Sequence, residues 1–294
     1  SPDLIALVRS KVSGSSIFDQ LKADTTALEK VRELGFAAPT QTRVIAVANQ
    51  KGGVGKTTTS INVAYFLAKA GKKTLLVDFD PQGNATSGLG IDKQNLGATI
   101  SEVIMRQIDL ANIILPTEYK NLSIAPATPH LANTEVELAQ AQGRFVRLRE
   151  ALQKATDYDY IIIDSPPSLS LLTVNGMIAA NYVLLPVQAE FYALEGLGQL
   201  LESMKLIKKG LNPPLELLGV LLTMMDSRTT LSGQVHAEVK KYFPDKIFKN
   251  SIPRNIRLAE APSHGAPVGA YDRFSKGSRA YKALTKEIIE RVER

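Results

Sequence analysis

Eight consecutive residues, Lys51-Gly52-Gly53-Val54-Gly55-Lys56-Thr57-Thr58, combine glycine, lysine and threonine in an order suited to phosphate chemistry. Glycines let a backbone curl tightly and turn its N–H groups toward phosphate oxygens. A helix opening at Lys56 adds the positive potential of its N-terminus. Lys56 can then reach β- and γ-phosphates, and the Thr57 hydroxyl can ligate Mg²⁺. The usual pattern G-x-x-x-x-G-K-[ST] wants glycine at position 50, where this chain has Gln50. Its glycines sit further in, at Gly52 and Gly53, behind a second lysine, Lys51. Lys56 already serves the phosphates of its own chain. Lys51 is therefore either a surface lysine or one that reaches the nucleotide of a facing subunit.

Carboxylates recur at two further points. Val77-Asp78-Phe79-Asp80 follows an apolar run, and on extended backbone Asp78 and Asp80 face the same side. One can organise Mg²⁺ or its waters while the other positions or deprotonates an attacking water; alternatively, both are helix-capping aspartates in a turn. The second point is Tyr160-Ile161-Ile162-Ile163-Asp164, where four largely apolar residues deliver an aspartate to the metal side of a phosphate site. Pro166 and Pro167 stiffen the loop that follows.

These residues need a scaffold that brings strand ends together. Apolar runs of strand length occur at 44–48, 74–77, 122–125, 160–163, 183–187, 217–222 and 247–252. Most are continuous, as expected for strands buried on both faces. Helical patterns lie near 56–70, 144–155, 168–180, 192–209, 230–243 and 277–293. The alternation predicts an α/β fold: a doubly wound, mostly parallel sheet with helices on both faces. Ligands in such sheets sit at the carboxyl ends of the strands, where the glycine loop and aspartates fall. Residues 1–42 stand apart and read as a short helical N-terminal extension with a linker, followed by the phosphate-loop domain at 43–294.

Composition narrows the function classes. The 294 residues include no cysteine, which excludes disulfides, Cys-ligated zinc and iron–sulfur clusters. His130, His236 and His264 have no metal-ligand spacing. No run of 18 apolar residues suggests a membrane span, and SPDLIALVRS does not read as a secretory signal, so a cytoplasmic protein is expected. The net charge of +6 is unevenly spread: residues 1–42 are neutral, 43–204 carry −2 and 205–294 carry +8. A localised excess of this kind is either a solvated face or the footprint of a polyanion partner.

The lysine-first loop, VDFDPQGNATSGLG at 77–90, YIIIDSPPSL at 160–169 and PVQAEFYALEGL at 186–197 together resemble the ParA/Soj family of DNA-partitioning ATPases. GVLLTMMDSR at 219–228 and IPRNIRLAEAPSHG at 252–265 extend the resemblance, which covers residues 43–294 and lies nearest the chromosomal, Soj-like branch. It implies a P-loop ATPase with ATP and Mg²⁺ that hydrolyses slowly and works as a switch in chromosome or plasmid segregation. Gly52, Gly53, Val54, Gly55, Lys56, Thr57 and Thr58 would bind ATP, and Lys51 would cross an ATP-sandwich homodimer to the partner's phosphates. Thr57 would ligate Mg²⁺, Asp164 would reach it through water, and Asp80 would activate the hydrolytic water. Pro253 and Asn255 would hold the adenine. Arg228 and Arg257, joined by Lys276 and Arg279, would bind double-stranded DNA without sequence preference on the nucleoid. A ParB-type partner would stimulate hydrolysis. MinD shares the loop but ends in a basic membrane helix; here Glu287, Glu290 and Glu293 interleave with the basic residues of the tail, which reads as a helix packed on its own domain. A P-loop kinase, or a machine positioning other cargo, are the remaining alternatives.

Overall fold

Strand β5 (Tyr160–Asp164) is buried at every position, and its side chains enter two different cores. Ile161 and Ile163 join one apolar cluster, Tyr160 and Ile162 the other. The same alternation separates Leu75 and Val77 from Leu76. A strand that must be apolar on both faces shows a continuous run instead of a period of two, which is why these strands are legible in sequence. The computed structural model describes residues 17, 19–20, 42–190, 197–226 and 228–293.

From β1 (Arg43–Val47) the chain passes through the glycine loop into α1 (Lys56–Lys69) and β2 (Thr74–Asp78). It continues through α2 (Asn84–Gly88), α3 (Ile100–Ile104), β3 (Leu115–Pro116), β4 (Leu122–Ala125), α4 (His130–Leu138) and α5 (Arg147–Leu152). After β5 come α6 (Leu171–Ala179), β6 (Tyr182–Gln188), α7 (Leu197–Gly210), β7 (Glu216–Thr223) and α8 (Thr230–Tyr242). Three helices close the chain: α9 (Ile256–Glu260), α10 (Val268–Tyr271) and α11 (Lys276–Val292). The strand order is β3-β4-β2-β5-β1-β6-β7, parallel throughout except for the β3–β4 pair.

Register does the positioning. Val47 pairs with Asp164, and Asp164 pairs with Asp78 across β5. The glycine loop therefore leaves the sheet beside two aspartates at the same level. Helices α1 and α11 cover one face together, with Ile61, Leu67, Tyr281, Leu284 and Ile288 in a common cluster. The apolar stripe of the tail helix, Tyr281, Leu284, Ile288 and Val292, is buried on the domain, as its interleaved acids suggested. Tyr281 Oη hydrogen-bonds Thr59 Oγ1 at 3.0 Å, tying α11 to the first turns of α1. At the far end Arg43 Nε donates to the Val292 carbonyl at 3.2 Å.

Two expectations change. Residues 247–252 do not form a strand: they touch the β7 edge through single bridges, Val220 to Ile247 and Met225 to Pro253. Phe248 N and Ile252 N donate to the Val220 and Leu222 carbonyls and keep the segment on the β7 edge, but between them the N–H groups of Lys249 and Asn250 donate to the Glu287 carboxylate at 3.0 and 3.1 Å and interrupt the ladder. Arg291 completes this lock, donating to Glu287 at 2.7 Å and to the Leu218 and Ile247 carbonyls. The two-residue β3, containing proline, is an edge strand too short for any pattern to reveal. The helices expected within 1–42 lie outside the described residues except for Ile17, Asp19 and Gln20, which are helical, and the start of the helix expected at 192–209 likewise falls at 191–196. Ile17 packs against the first core.

Candidate functional site

The glycine loop is shaped by backbone demands at two of its three glycines. Gly53 and Gly55 have φ of 74° and 89°, the left-handed region that side-chain-bearing residues avoid. Gly52 is different. Its φ is not positive, and a Cβ built on it would meet only Pro167 Cβ at 4.0 Å. Nothing within its own chain requires glycine there, and the residue is exposed.

The two lysines of the loop point to different places. Lys56 is buried, and its ammonium donates to the Lys51 carbonyl at 2.9 Å. Burial pulls its pKa down while Asp164 and Asp80 pull it back up, so both carboxylates feel this cation. The Lys51 ammonium instead forms an ion pair with Glu190, just beyond β6. The loop is braced by Thr223 at the end of β7, whose hydroxyl donates to the Val54 carbonyl at 2.8 Å. Asn49 braces its entrance, accepting from the Lys51 N–H and donating to the Pro186 carbonyl.

Asp164 is fully buried and accepts from two hydroxyls on one face of α1, Thr57 and Ser60, each at 2.8 Å. Ser60 was not anticipated. The signal was available, because Thr57 and Ser60 are three apart on a helix and share a face. The Asp78 and Asp80 side chains separate. Asp78 is fully buried and accepts from the Thr86 N–H at 2.8 Å and the Thr86 hydroxyl at 2.6 Å, tying down the start of α2. Asp78 is thus engaged by the first turn of α2, although the residue at the cap position is Gly83. Asp80 accepts from the Gln82 N–H at 3.0 Å and senses Lys56. Burial raises the pKa of all three acids; each also feels a neighbouring aspartate or lysine, Asp78 raising Asp164 and Lys56 opposing the shift of Asp80.

These residues fit a magnesium ion that arrives with its nucleotide. No group of three or more His, Cys, Asp or Glu side chains is gathered as a cage among the described residues. Mg²⁺ prefers that situation: it keeps several waters and takes one or two protein oxygens plus phosphates. The Thr57 hydroxyl and the Asp164 carboxylate, already in contact, supply hard oxygen donors, and crowding with Asp78 favours an added cation.

The remaining candidates lie on the segments 226–228 and 253–257 and on the first turn of α11. Met225 N donates to Ile252 O and Arg254 N to Met225 O, holding 252–255 against the end of β7, two residues from Thr223. Asn255 starts α9, and its Oδ1 is buried without a hydrogen-bond partner among the described residues. An orphaned buried acceptor calls for a donor. Arg228 has its guanidinium paired to Asp226 at 2.8 Å, and Arg257 pairs with Glu260 at 2.8 Å and Asp272 at 3.4 Å. Lys276 and Arg279, in the first turn of α11, are exposed and make no ion pair among the described residues. Arg254, exposed between these positions, adds a cation that sequence reasoning passed over.

A parallel strand that empties into a lysine-first glycine loop, with an aspartate from the adjacent strand clasped to the loop helix, defines a P-loop ATPase of the α/β class. The AAA domain family model matches residues 42–217. The chain is 54% identical to the sporulation initiation inhibitor protein Soj of Bacillus subtilis (strain 168), over 84% of this chain and 98% of that protein. It is 52% identical to the chromosome partitioning protein ParA of Myxococcus xanthus (strain DK1622), over 88% and 91% respectively. Among solved structures it resembles cobyrinic acid a,c-diamide synthase from Mycobacterium smegmatis with bound ATP analogue and magnesium, with 37% identity, a TM-score of 0.75 and coverage of 86% and 97%. The chain belongs to the ParA/Soj family of chromosome-partitioning ATPases.

Proposed function

We propose that this ATPase is a nucleotide-dependent switch that binds DNA as an ATP-sandwich homodimer and lets go on hydrolysis. The observation that carries the reading is the division of labour in the loop. Lys56 turns inward to the phosphate site, whereas Gly52 is exposed with space above it and Lys51 sits on the outside. A glycine unneeded by its own backbone, beside a second lysine, suits close approach by another copy. Lys51 must exchange its Glu190 partner for the facing nucleotide.

In this reading the N–H groups from Gly52 to Thr58 cradle the phosphates, and Lys56 moves from the Lys51 carbonyl to the β- and γ-phosphate oxygens. Pro253 and Asn255 take the adenine, whose exocyclic amine is the donor that Asn255 Oδ1 lacks. Mg²⁺, held by Thr57 and reached by Asp164 through water, supplies charge neutralisation on the phosphates. Asp80, released from the structural duty that occupies Asp78, positions the attacking water. The basic edge at Arg228 and Arg257, continued by Lys276 and Arg279, contacts phosphate backbone in a cytoplasmic, nucleoid-bound state. A ParB-type protein triggers hydrolysis and release.

Titration of unrelated duplexes by fluorescence anisotropy tests this. The Asp80→Ala protein in ATP should bind all duplexes alike and much more tightly than in ADP. Affinity should fall with salt at a log–log slope of about −0.9 per phosphate contact. Arg228→Ala and Arg257→Ala should each flatten that slope by about one contact. Binding that ignores nucleotide refutes the switch; wild-type slopes in both variants refute the surface.

A further inference from the structure

The outer seam between α1 and α11 is a groove of about 960 Å³ that the ATPase cycle leaves unused. Its floor is apolar: Tyr65 and Phe66, in edge-to-face contact at 5.1 Å, with Ala70 and Ile289. Gly269 closes one end so tightly that a Cβ there would come within 2.5 Å of the Tyr65 ring and 2.7 Å of Phe66. Over that end stands Phe274, 73% exposed, with the Arg273 guanidinium stacked on it at 4.5 Å. At that exposure the Phe274 ring buries little of its surface within its own chain.

The rim is cationic. Lys69, Arg273, Arg279, Lys282 and Lys286 surround the floor, and Glu290 is the sole acid in the lining. Glu290 pairs with Lys286 at 4.0 Å, and the other four cations have no ion pair among the described residues. The lining therefore carries a net +4 around an aromatic trough. We propose that this groove docks an acidic amphipathic helix of a protein partner, its apolar face on Phe66 and Phe274 and its carboxylates on the rim. A helix in a groove anchors through residues at i, i+3, i+4 and i+7, which a seam between two helices suits. Duplex DNA fits less well, because an apolar floor offers its hydrated phosphates no partners. Arg279 belongs to both the groove and the basic edge, so an occupant should also weaken DNA binding; the docking itself rests on Phe274 and Lys282, which lie outside the residues assigned to DNA.

The test uses the full chain and a fluorescent 16-residue peptide with leucines at i, i+3, i+4 and i+7 and glutamates and alanines elsewhere. A scrambled peptide and a lysine-for-glutamate peptide are the controls. Anisotropy should show the acidic amphipath binding at least tenfold tighter than either control. Phe274→Ala and Lys282→Glu should each weaken it at least fivefold, with ATP binding and the thermal midpoint unchanged. Equal binding of the scramble, or indifference to both substitutions, overturns the proposal. So does failure of the acidic peptide to bind while Phe274→Ala weakens affinity for duplex DNA or for phosphatidylglycerol vesicles, since the groove would then serve nucleic acid or a membrane.

Discussion

Replacing Lys56 and Asp80 in parallel separates holding ATP from cleaving it. Before nucleotide binds, the Lys56 ammonium already donates to the Lys51 carbonyl at 2.9 Å. Its contribution to ATP affinity is therefore a difference: two contacts to charged phosphate oxygens replace one to a neutral carbonyl. With hydrogen bonds to charged groups at about 1.5–3 kcal/mol each, the net gain is about one such bond, or a 10- to 150-fold change in Kd. Lys56→Ala should weaken binding of a fluorescent ATP analogue by that factor, not abolish it. In the proposed site Asp80 would present a carboxylate near the same phosphates, so Asp80→Ala would remove repulsion as well as a proton acceptor. Its ATP affinity should match wild type within about threefold, while phosphate release should fall by about 10²-fold or more, the scale of lost general-base assistance. Phosphate release from Asp80→Ala at a rate near wild type would refute the assignment, as would ATP affinity in Lys56→Ala equal to wild type.

Gly52→Val should leave folding and ATP binding intact, since a Cβ there meets nothing closer than 4.0 Å within the chain, yet block dimer formation in ATP by light scattering; a normal dimer would remove the argument from the exposed glycine. Glu287→Ala should destabilise by about 3–5 kcal/mol in urea, because it leaves the Arg291 cation and two backbone N–H groups without their carboxylate, and a loss below about 1 kcal/mol would show that the lock is dispensable. Burial, with repulsion from Asp78 on Asp164 and from Asp80 on Asp78, pushes Asp164 up to about 8 and Asp78 up to about 6, so the folded state holds protons that the unfolded chain has released. That stabilisation is complete below about pH 4 and is lost as pH rises from about 4 to 8, most steeply below about 6 where both groups contribute. Thermal midpoints without Mg²⁺ or nucleotide should accordingly fall across this window, and Asp164→Asn should flatten the fall; an equally steep fall in that variant would contradict the sign.

The parts of this molecule that sequence revealed are those where one physical demand dominates. Strands buried on both faces announce themselves as unbroken apolar runs, and the left-handed turns at Gly53 and Gly55 leave glycine little alternative. Residues 247–252 looked like another such strand because Ile247, Phe248 and Ile252 are apolar, but between the β7 contacts of Phe248 and Ile252 the N–H groups of Lys249 and Asn250 answer to Glu287, about 40 residues further along the chain. Asp78 and Asp80 were indistinguishable as letters. The Thr86 hydroxyl engages Asp78 and not Asp80, and that contact exists only once the turn into α2 has formed. The Glu190 partner of Lys51 arrives from the end of a different strand, with no local pattern to betray it. Ser60, by contrast, was readable from helical spacing alone.

The hydrogen bond from Arg43 to the Val292 carbonyl has a topological consequence. The start of β1 and the end of α11 meet at the same spot, where Glu293 also meets Lys72 and the Tyr160 hydroxyl. That spot lies at the amino ends of the strands, and the five residues of β1 put about 16 Å between it and the phosphate loop. Whatever precedes Arg43 or follows Val292 thus joins the body at a common stem on the side away from ATP. A short linker joining these ends, with new termini opened in a surface loop elsewhere, should yield a circularly permuted ATPase with its nucleotide face undisturbed.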